Sequence, residues 1–409
     1  MGLWVNLFEV TLMKKEFPWK KVLVLTASHI MVAAIAVCLA LVATSASRDP
    51  GMRKLEQLAG MIEKYHVDDP NMNRVYDYAA AGMLTGTGDR WSYYISAAEM
   101  DAYDERKNNS YVGVGITVQA AEDGSGINVL SVTPGGPAFD GGMLPGDVII
   151  SVDGTDVKES DIDQLSDLIR GEEGTTVTIR VTRDTVPMDF TLTRRTIDVK
   201  VAEGKMLEGN VGYVKITNFN EKCASETILA VEELVEQGAV CIVFDVRNNG
   251  GGYKDELVKI LDYLLPKGEL FKAVDYLGNE EVDTSDASCV ELPMAVLVNG
   301  NSYSAAEFFA AALEEYDWAI IGGEPTVGKG HMQVTMELND GSAAAISIGK
   351  YYTPNGVSLA DQGGLVPQIQ VEVDEETAAL IASGLLEPED DAQLQAVIAV
   401  LTQKTEENP

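Results

Sequence analysis

Three short stretches of this chain carry residue types from which acyl-transfer chemistry can be built. The first is Asn299-Gly300-Asn301-Ser302-Tyr303-Ser304-Ala305-Ala306-Glu307, which follows the apolar run Met294 to Val298. A serine where a buried strand turns into a helix is presented at the C-terminal edge of the sheet, where α/β sites gather. The same residues also fit plain helix capping, because Ser304 is followed three positions later by Glu307. Ser302 is a rival for either role. The second stretch is Thr326-Val327-Gly328-Lys329-Gly330-His331-Met332-Gln333. A lysine between two glycines sits on backbone that can approach a substrate closely. It can equally be a solvated loop lysine, and a phosphate loop would need an upstream glycine and a following Ser/Thr that are missing. The third is Asn248-Asn249-Gly250-Gly251-Gly252, whose consecutive glycines leave N–H groups able to meet an oxyanion or simply make a turn.

The rest of the composition narrows the choices. The chain has three histidines, His29, His66 and His331, so a Ser-His-Asp site would have to draw on His66 or His331. Cys38 lies in an apolar N-terminal run, leaving Cys223, Cys241 and Cys289 with no CxxC pair and no metal-ligand spacing. Neither a disulfide framework nor a metal site is expected. Acidic residues outnumber basic ones by 64 to 30, a net charge of −34, which repels nucleic acid and anionic lipid.

The elements that must position these residues follow from periodicity. Residues 52–108 read as helical, with Met52, Leu55, Leu58, Ala59 and Ile62 at helical spacing. From Tyr111 the texture changes to short strands, glycine-laced at Tyr111-Val112-Gly113-Val114-Gly115-Ile116. An amphipathic helix covers Asp161 to Arg170, with Ile162, Leu165, Leu168 and Ile169 on one face. From Asn210 strands and helices alternate: strands at Val211–Ile216, Val240–Val246, Met294–Val298 and Ala319–Gly322, helices at Ala224–Gln237, Lys254–Leu265 and Ser304–Glu315. That order predicts an α/β domain with a partly parallel sheet.

Residues 109–196 resemble a PDZ domain through the turn Pro134-Gly135-Gly136-Pro137-Ala138, then Leu144-Pro145-Gly146-Asp147, then Val152-Asp153-Gly154. The resemblance implies a groove that takes an extended peptide as an added strand. Tyr111, Val112, Gly113, Val114, Gly115 and Ile116 would form the loop whose N–H groups meet a C-terminal carboxylate. Leu165 and Leu168 would line the pocket with Val112, Val114 and Ile116. On Gly113 and Gly115 alone, a strand needing close backbone approach would serve as well. With the three catalytic stretches in this order, the chain is similar to the C-terminal processing (tail-specific) peptidases, whose DLRxNPGG, SASASE-like and FGKG runs are matched by Asp245–Gly252, Ser302–Glu307 and Val327–Gly330. The spacing of 25 between Ser304 and Lys329, the glutamine at Gln333, and the closing stretches Thr353–Gly356 and Gly364–Pro367 fit as well. Gly250 departs from the motif's proline, Val327 from its phenylalanine, and Tyr303 from the small residue common there.

The resemblance implies Ser304 as nucleophile, Lys329 as general base and Gln333 as the group positioning it. The N–H groups of Gly251 and Ala305 would form the oxyanion hole, and no metal or cofactor is called for. Partners would be protein or peptide substrates with free C-termini, with no nucleic acid; a homo-oligomer stays open. Two other readings stand beside it: a catalytically silent peptide-binding scaffold, and a hydrolase of non-peptide esters.

Val22 to Ser47 carries no formal charge, follows Lys14, Lys15, Lys20 and Lys21, and is long enough to span a hydrocarbon core of about 30 Å as a helix. The positive-inside rule puts everything after Arg48 outside the cell membrane. A cleaved signal peptide is the competing reading, with Ala43–Ser47 as a possible processing site. The expected fold is therefore an α/β protease core with an inserted PDZ-like β-rich domain, an N-terminal helical region and one transmembrane helix. Its divisions are a cytoplasmic segment (1–21), anchor (22–47), helical region (52–108), PDZ-like domain (109–196), α/β serine protease core (197–374) and helical tail (375–409).

Overall fold

The computed structural model describes residues 31, 49–120, 126–157 and 162–407. The expected cytoplasmic segment and, apart from Met31, the expected anchor lie outside the described residues. Among those described, no helix is long and apolar enough to cross a membrane. The chain divides into two compact units, Met1–Ala80 and Ala81–Pro409. In the first, α1 (Pro50–Tyr65) starts where the Asp49 carboxylate accepts the Gly51 N–H at 2.7 Å, with Pro50 opening the first turn. The second helix, α2 (Met72–Thr85), is capped by Asn71, whose side chain accepts from Asn73 N at 3.1 Å.

The expected helical region is not helical throughout. Before α3 (Met100–Asn108) comes β1 (Tyr93–Ile95), paired antiparallel with Ala343–Ala345 of the protease portion. Its aromatic and β-branched residues favour a strand once a partner edge is available.

The PDZ-like portion holds β2 (Ser110–Gly113), β3 (Ile116–Ala120), β4 (Ile127–Val132), α4 (Pro137–Gly141), β5 (Val148–Val152), β6 (Thr155–Asp156), α5 (Ile162–Ile169), β7 (Thr176–Arg183), β8 (Val186–Thr193) and β9 (Arg195–Asp198). Its main sheet runs β3-β4-β5-β7-β8, which leaves β3 at an edge; β2 pairs with β9 separately. Ile127, Val129, Ile149, Leu165 and Ile179 form the core. The Leu144–Asp147 turn is held by Asp147, which receives Arg183 at 2.6 and 2.7 Å and the Leu144 N–H at 2.9 Å.

The protease portion contains β10 (Ala202–Leu207), β11 (Val211–Ile216), α6 (Cys223–Glu236), β12 (Cys241–Asp245), α7 (Lys254–Leu264), β13 (Gly268–Asp275), β14 (Glu280–Ser285), β15 (Met294–Val298), α8 (Ala305–Glu315), β16 (Ala319–Gly323), β17 (His331–Glu337), β18 (Ala343–Tyr352), α9 (Leu359–Gln362) and β19 (Ile369–Gln370). Two helices follow, α10 (Glu375–Ser383) and α11 (Ala392–Glu407). The six-stranded sheet runs β10-β11-β12-β15-β16-β19, parallel except for β10. Both faces are covered, as a parallel sheet requires. Ile242, Phe244, Val296 and Ile321 pack with helices α6, α7 and α8, while Cys241, Val243, Ala295 and Leu297 pack with Leu394, Val397 and Leu401 of α11. A second sheet, β1-β18-β13-β14 with β17 on β18, is antiparallel. It packs Phe271 and Tyr351 against Phe308 of α8, ring centres 4.9 and 5.6 Å away. Cys223, Cys241 and Cys289 are free thiols.

The acidic tail is tied to the sheet by buried Arg247. Its guanidinium meets both oxygens of Asp245 (2.9 and 2.7 Å), reaches Asp391 at 2.7 Å and Gln393 at 2.9 Å. Asp391 in turn accepts the Leu394 N–H at 3.0 Å, capping α11. Removing one partner of a buried pair strands charge, so Asp391→Ala should destabilise the protease portion by about 3 kcal/mol. A urea midpoint unmoved by the substitution would contradict this assignment.

Candidate active site

Strand β15 ends at Val298, and the chain turns through Asn299–Ser304 into α8. Ser304 is the N-cap, with φ +59° and ψ −123°, a conformation that non-glycine residues seldom hold without support. Support comes from both sides. The Tyr303 N–H donates to the Asn249 carbonyl at 3.1 Å, and the Ser304 N–H to Glu307 Oε2 at 3.1 Å. Ser302, the rival serine, is fully buried; its hydroxyl donates to the Val246 carbonyl at 2.8 Å and accepts the Asn299 N–H at 3.0 Å. It braces the corner and does not face the cleft.

Glu307 is buried and forms no salt bridge among the described residues. It accepts the Gly328 N–H at 2.6 Å, the Lys329 N–H at 2.9 Å and the Thr326 hydroxyl as well as the Ser304 N–H. One carboxylate thus fixes the serine corner and the lysine loop to each other. Capping and chemistry are not alternatives here, since the cap that shapes the corner also places the lysine.

Lys329 lies half-buried just before β17. Its ammonium donates to Gln333 Oε1 at 2.6 Å, and Gln333 Nε2 donates to the Trp91 carbonyl. Burial pushes the Lys329 amine below its ordinary pKa, while the charges of Asp89 and Glu307 pull the other way. Asp89 is itself opposed by burial, but side-chain hydrogen bonds and the Trp91 N–H bring it down to about 2. The Lys329 ammonium also stands 5.0 Å from the Trp91 ring centre and 5.9 Å from that of Tyr303. His331, at the head of β17, has a buried Nδ1 with no partner among the described residues, so no carboxylate holds that nitrogen as the third member of a triad would.

Gly251 has φ +87°, and a Cβ there would lie 2.7 Å from Ser304 Cβ and 2.9 Å from Ala305 N. Only glycine leaves the space in front of the Ala305 N–H open. That N–H heads α8 and has no protein acceptor among the described residues, which leaves it available to an anion. The expected second donor needs correction: the Gly251 N–H is already taken by Asn249 Oδ1 at 2.8 Å. Asn249 is buried and also anchored to the Ile216 carbonyl at 2.8 Å, so this turn is firmly held.

Ser304, Ala305, Gly251, Lys329, Gln333 and Tyr111 all line one cleft of about 1620 Å³. The remaining expected peptide-binding residues do not. Tyr111 and Val112 belong to β2, paired with Ile197 and Thr196, and the Val112 N–H donates to Glu105 at 3.2 Å. The loop that could meet a carboxylate is therefore only Gly113-Val114-Gly115-Ile116. Val114 and Leu165 are enclosed in the PDZ-like core and cannot line a pocket. Ile116 and Leu168 are partly buried at the edge of that core, flanking the open strand β3. Among the described residues no group of His, Cys, Asp or Glu is arranged to hold a metal ion.

Sequence reasoning missed Trp91 and Tyr351. Tyr351 sits buried on β18, its hydroxyl donating to the Lys329 carbonyl; burial drives its pKa well upward. The pairing of Gly328 and Lys329 with Glu307 was also unforeseen, although the Ser-x-x-Glu spacing carried the signal. Glu307→Gln would turn one oxygen into a donor facing donors. It should lower stability by about 3 kcal/mol and speed hydrogen exchange at Gly328 and Lys329; unchanged exchange at both amides would refute the bridging role.

Comparison with known proteins gives the family. Residues 210–371 match the family model for peptidase family S41, and residues 129–183 match that for the PDZ domain. The chain is 32% identical over 333 residues to the carboxy-terminal processing protease CtpA of Bacillus subtilis, covering 81% of this chain and 71% of that protein. It is 32% identical over 332 residues to the chloroplastic C-terminal processing peptidase of Tetradesmus obliquus, covering 76% and 71%. Among solved structures, a photosystem II D1 C-terminal processing protease has 29% identity and a TM-score of 0.45, covering 77% of this chain and 86% of that one.

Proposed function

Since the chain belongs to peptidase family S41 and is a serine peptidase of the C-terminal processing kind, we propose that Ser304 and Lys329 are its catalytic dyad. The observation that carries this is a lysine whose basicity is lowered by burial, fixed through Glu307 to the corner that bears the serine, in one cleft. Neutral Lys329 takes the Ser304 proton as the hydroxyl attacks a peptide carbonyl. The Ala305 N–H holds the oxyanion, with the space in front of it kept open by Gly251. The proton then passes from Lys329 to the leaving amine, and water hydrolyses the acyl-enzyme. Gln333, braced by Trp91, orients the amine.

The sign of the pH dependence follows. Protonated Lys329 cannot act as base, and its pKa lies below the ordinary lysine value. Therefore kcat/KM should rise with pH through that pKa and fall as pH drops below it. Ser304→Ala and Lys329→Ala should each lose on the order of 10⁴-fold in kcat/KM with the fold retained. Lys329→Arg should stay inactive at every pH, because guanidinium remains charged; His331→Ala should remain active. An active Lys329→Arg enzyme would sink the dyad.

The PDZ-like domain is proposed to choose substrates by their C-termini. Supporting this, β3 is an open edge with Ile116 and Leu168 beside it, ready to take an added strand. Amidating the C-terminus of a good substrate removes the charge and should reduce kcat/KM by about tenfold or more. Acetylating its N-terminus should change little. Equal cleavage of free-acid and amidated peptides would count against C-terminal recognition. The uncharged run Val22–Ser47 and the lysines before it support a single-pass anchor in the cell membrane, with the catalytic portion outside.

A further inference from the structure

We propose that Tyr303 sets the size limit for the substrate side chain that follows the scissile bond. This rests on the reading of Ser304 and Lys329 as nucleophile and base.

Tyr303 directly precedes the nucleophile and is fixed by its own backbone. Its N–H is held by the Asn249 carbonyl at 3.1 Å, and its carbonyl accepts the Ala306 N–H at 3.3 Å. The ring occupies a space that exists only because residue 250 is glycine. A Cβ on Gly250 would stand 2.6 Å from the Tyr303 hydroxyl oxygen and 2.8 Å from Cζ. The two departures from the family's motif, glycine for proline and tyrosine for a small residue, are thus one sterically coupled change. Behind the ring stands Trp91, centre to centre 5.9 Å at 31°. Tyr303 lines the cleft together with Ser304 and Lys329, and its ring centre is 5.9 Å from the Lys329 amine.

The chemistry says which side of the substrate this ring faces. The base that removes the serine proton must return it to the departing amine nitrogen, so it faces the leaving fragment. A ring packed beside that amine borders the first residue of that fragment. Filling the space with a supported aromatic ring excludes a bulky side chain there. One unit of size mismatch in such a pocket is worth about 10- to 200-fold in discrimination.

The test uses two matched series of internally quenched peptides on the full-length protein. One varies only the residue after the scissile bond (Ala, Leu, Phe); the other varies only the residue before it. The wild type should favour Ala over Phe in the first series. Tyr303→Ala should cut that preference at least tenfold without altering the second series, and Tyr303→Phe should keep it, because the effect is steric. Gly250→Ala displaces the ring from the opposite side and should alter the same preference. In a Tyr303→Ala background it should add nothing further, the signature of one coupled pair. An unaltered first-series preference in both Tyr303→Ala and Gly250→Ala, or a change confined to the second series, overturns the assignment. The underlying reading fails separately, if Ser304→Ala still turns over these peptides.

Discussion

A single buried carboxylate organises this site. Glu307 receives four donors from two segments that are distant in sequence: Ser304 N–H on one side, Thr326 hydroxyl, Gly328 N–H and Lys329 N–H on the other. A buried carboxylate is costly unless its lone pairs are filled, and backbone N–H groups can fill them without a cation. Glu307 can stay buried only if the Thr326–Lys329 loop closes over it. The serine corner and the lysine loop are therefore locked as one body, and the strained backbone at Ser304 is held by the same contact.

The second sheet completes what Glu307 begins. Strands β17 and β18 carry Gln333 and Tyr351, and β1 begins two residues after Trp91. Each of these three residues touches the lysine or its neighbours: Gln333 at the amine, Trp91 at Gln333 and under the amine, Tyr351 at the Lys329 carbonyl. The parallel sheet supplies the corner that bears Ser304, as α/β topology predicts. The antiparallel sheet supplies the shell that removes the lysine from water. Neither sheet alone builds the site.

Much of this was legible in the sequence, for a physical reason. Ser304, Lys329 and Gln333 lie in local motifs bounded by glycines and by unmistakable strands and helices, so short-range pattern suffices. The parallel strands from β11 to β16 are continuous apolar runs, because both faces are buried. What was hidden depends on contacts across long sequence separations. Trp91 meets Gln333 across 242 positions, and no periodicity around Trp91 announces it. Strands β13, β14, β17 and β18 alternate weakly, with β13 and β14 against α7, Phe271 and Tyr351 against Phe308 of α8, and the other face partly open, and so escaped notice. Val114 and Leu165 were assigned to a pocket because apolar residues near a binding loop look alike in sequence, whether they face the ligand or the core. Only packing distinguishes them.

The proposed lysine base poses an electrostatic difficulty in a chain of net charge −34, since negative potential stabilises the ammonium form. Distance and screening remove most of it. Surface carboxylates farther away than about 8 Å contribute little at physiological salt. The charges that matter are local, Asp89 and Glu307, and both do oppose the depression of Lys329. Each is also covered by donors: Glu307 by its four, Asp89 by the Ser92 hydroxyl at 2.5 Å and the Trp91 N–H at 3.0 Å. Those donor dipoles point their positive ends at the carboxylates and weaken the field each projects toward the amine. The rings of Trp91 and Tyr303 work in two directions, excluding water from the amine while attracting its charged form. The net direction is downward, so desolvation outweighs both carboxylates. The balance is local enough that the acidic surface and a depressed lysine can coexist, and the neutral amine proposed here accounts for a glutamine at its hydrogen-bonding position, where a carboxylate would have held the proton.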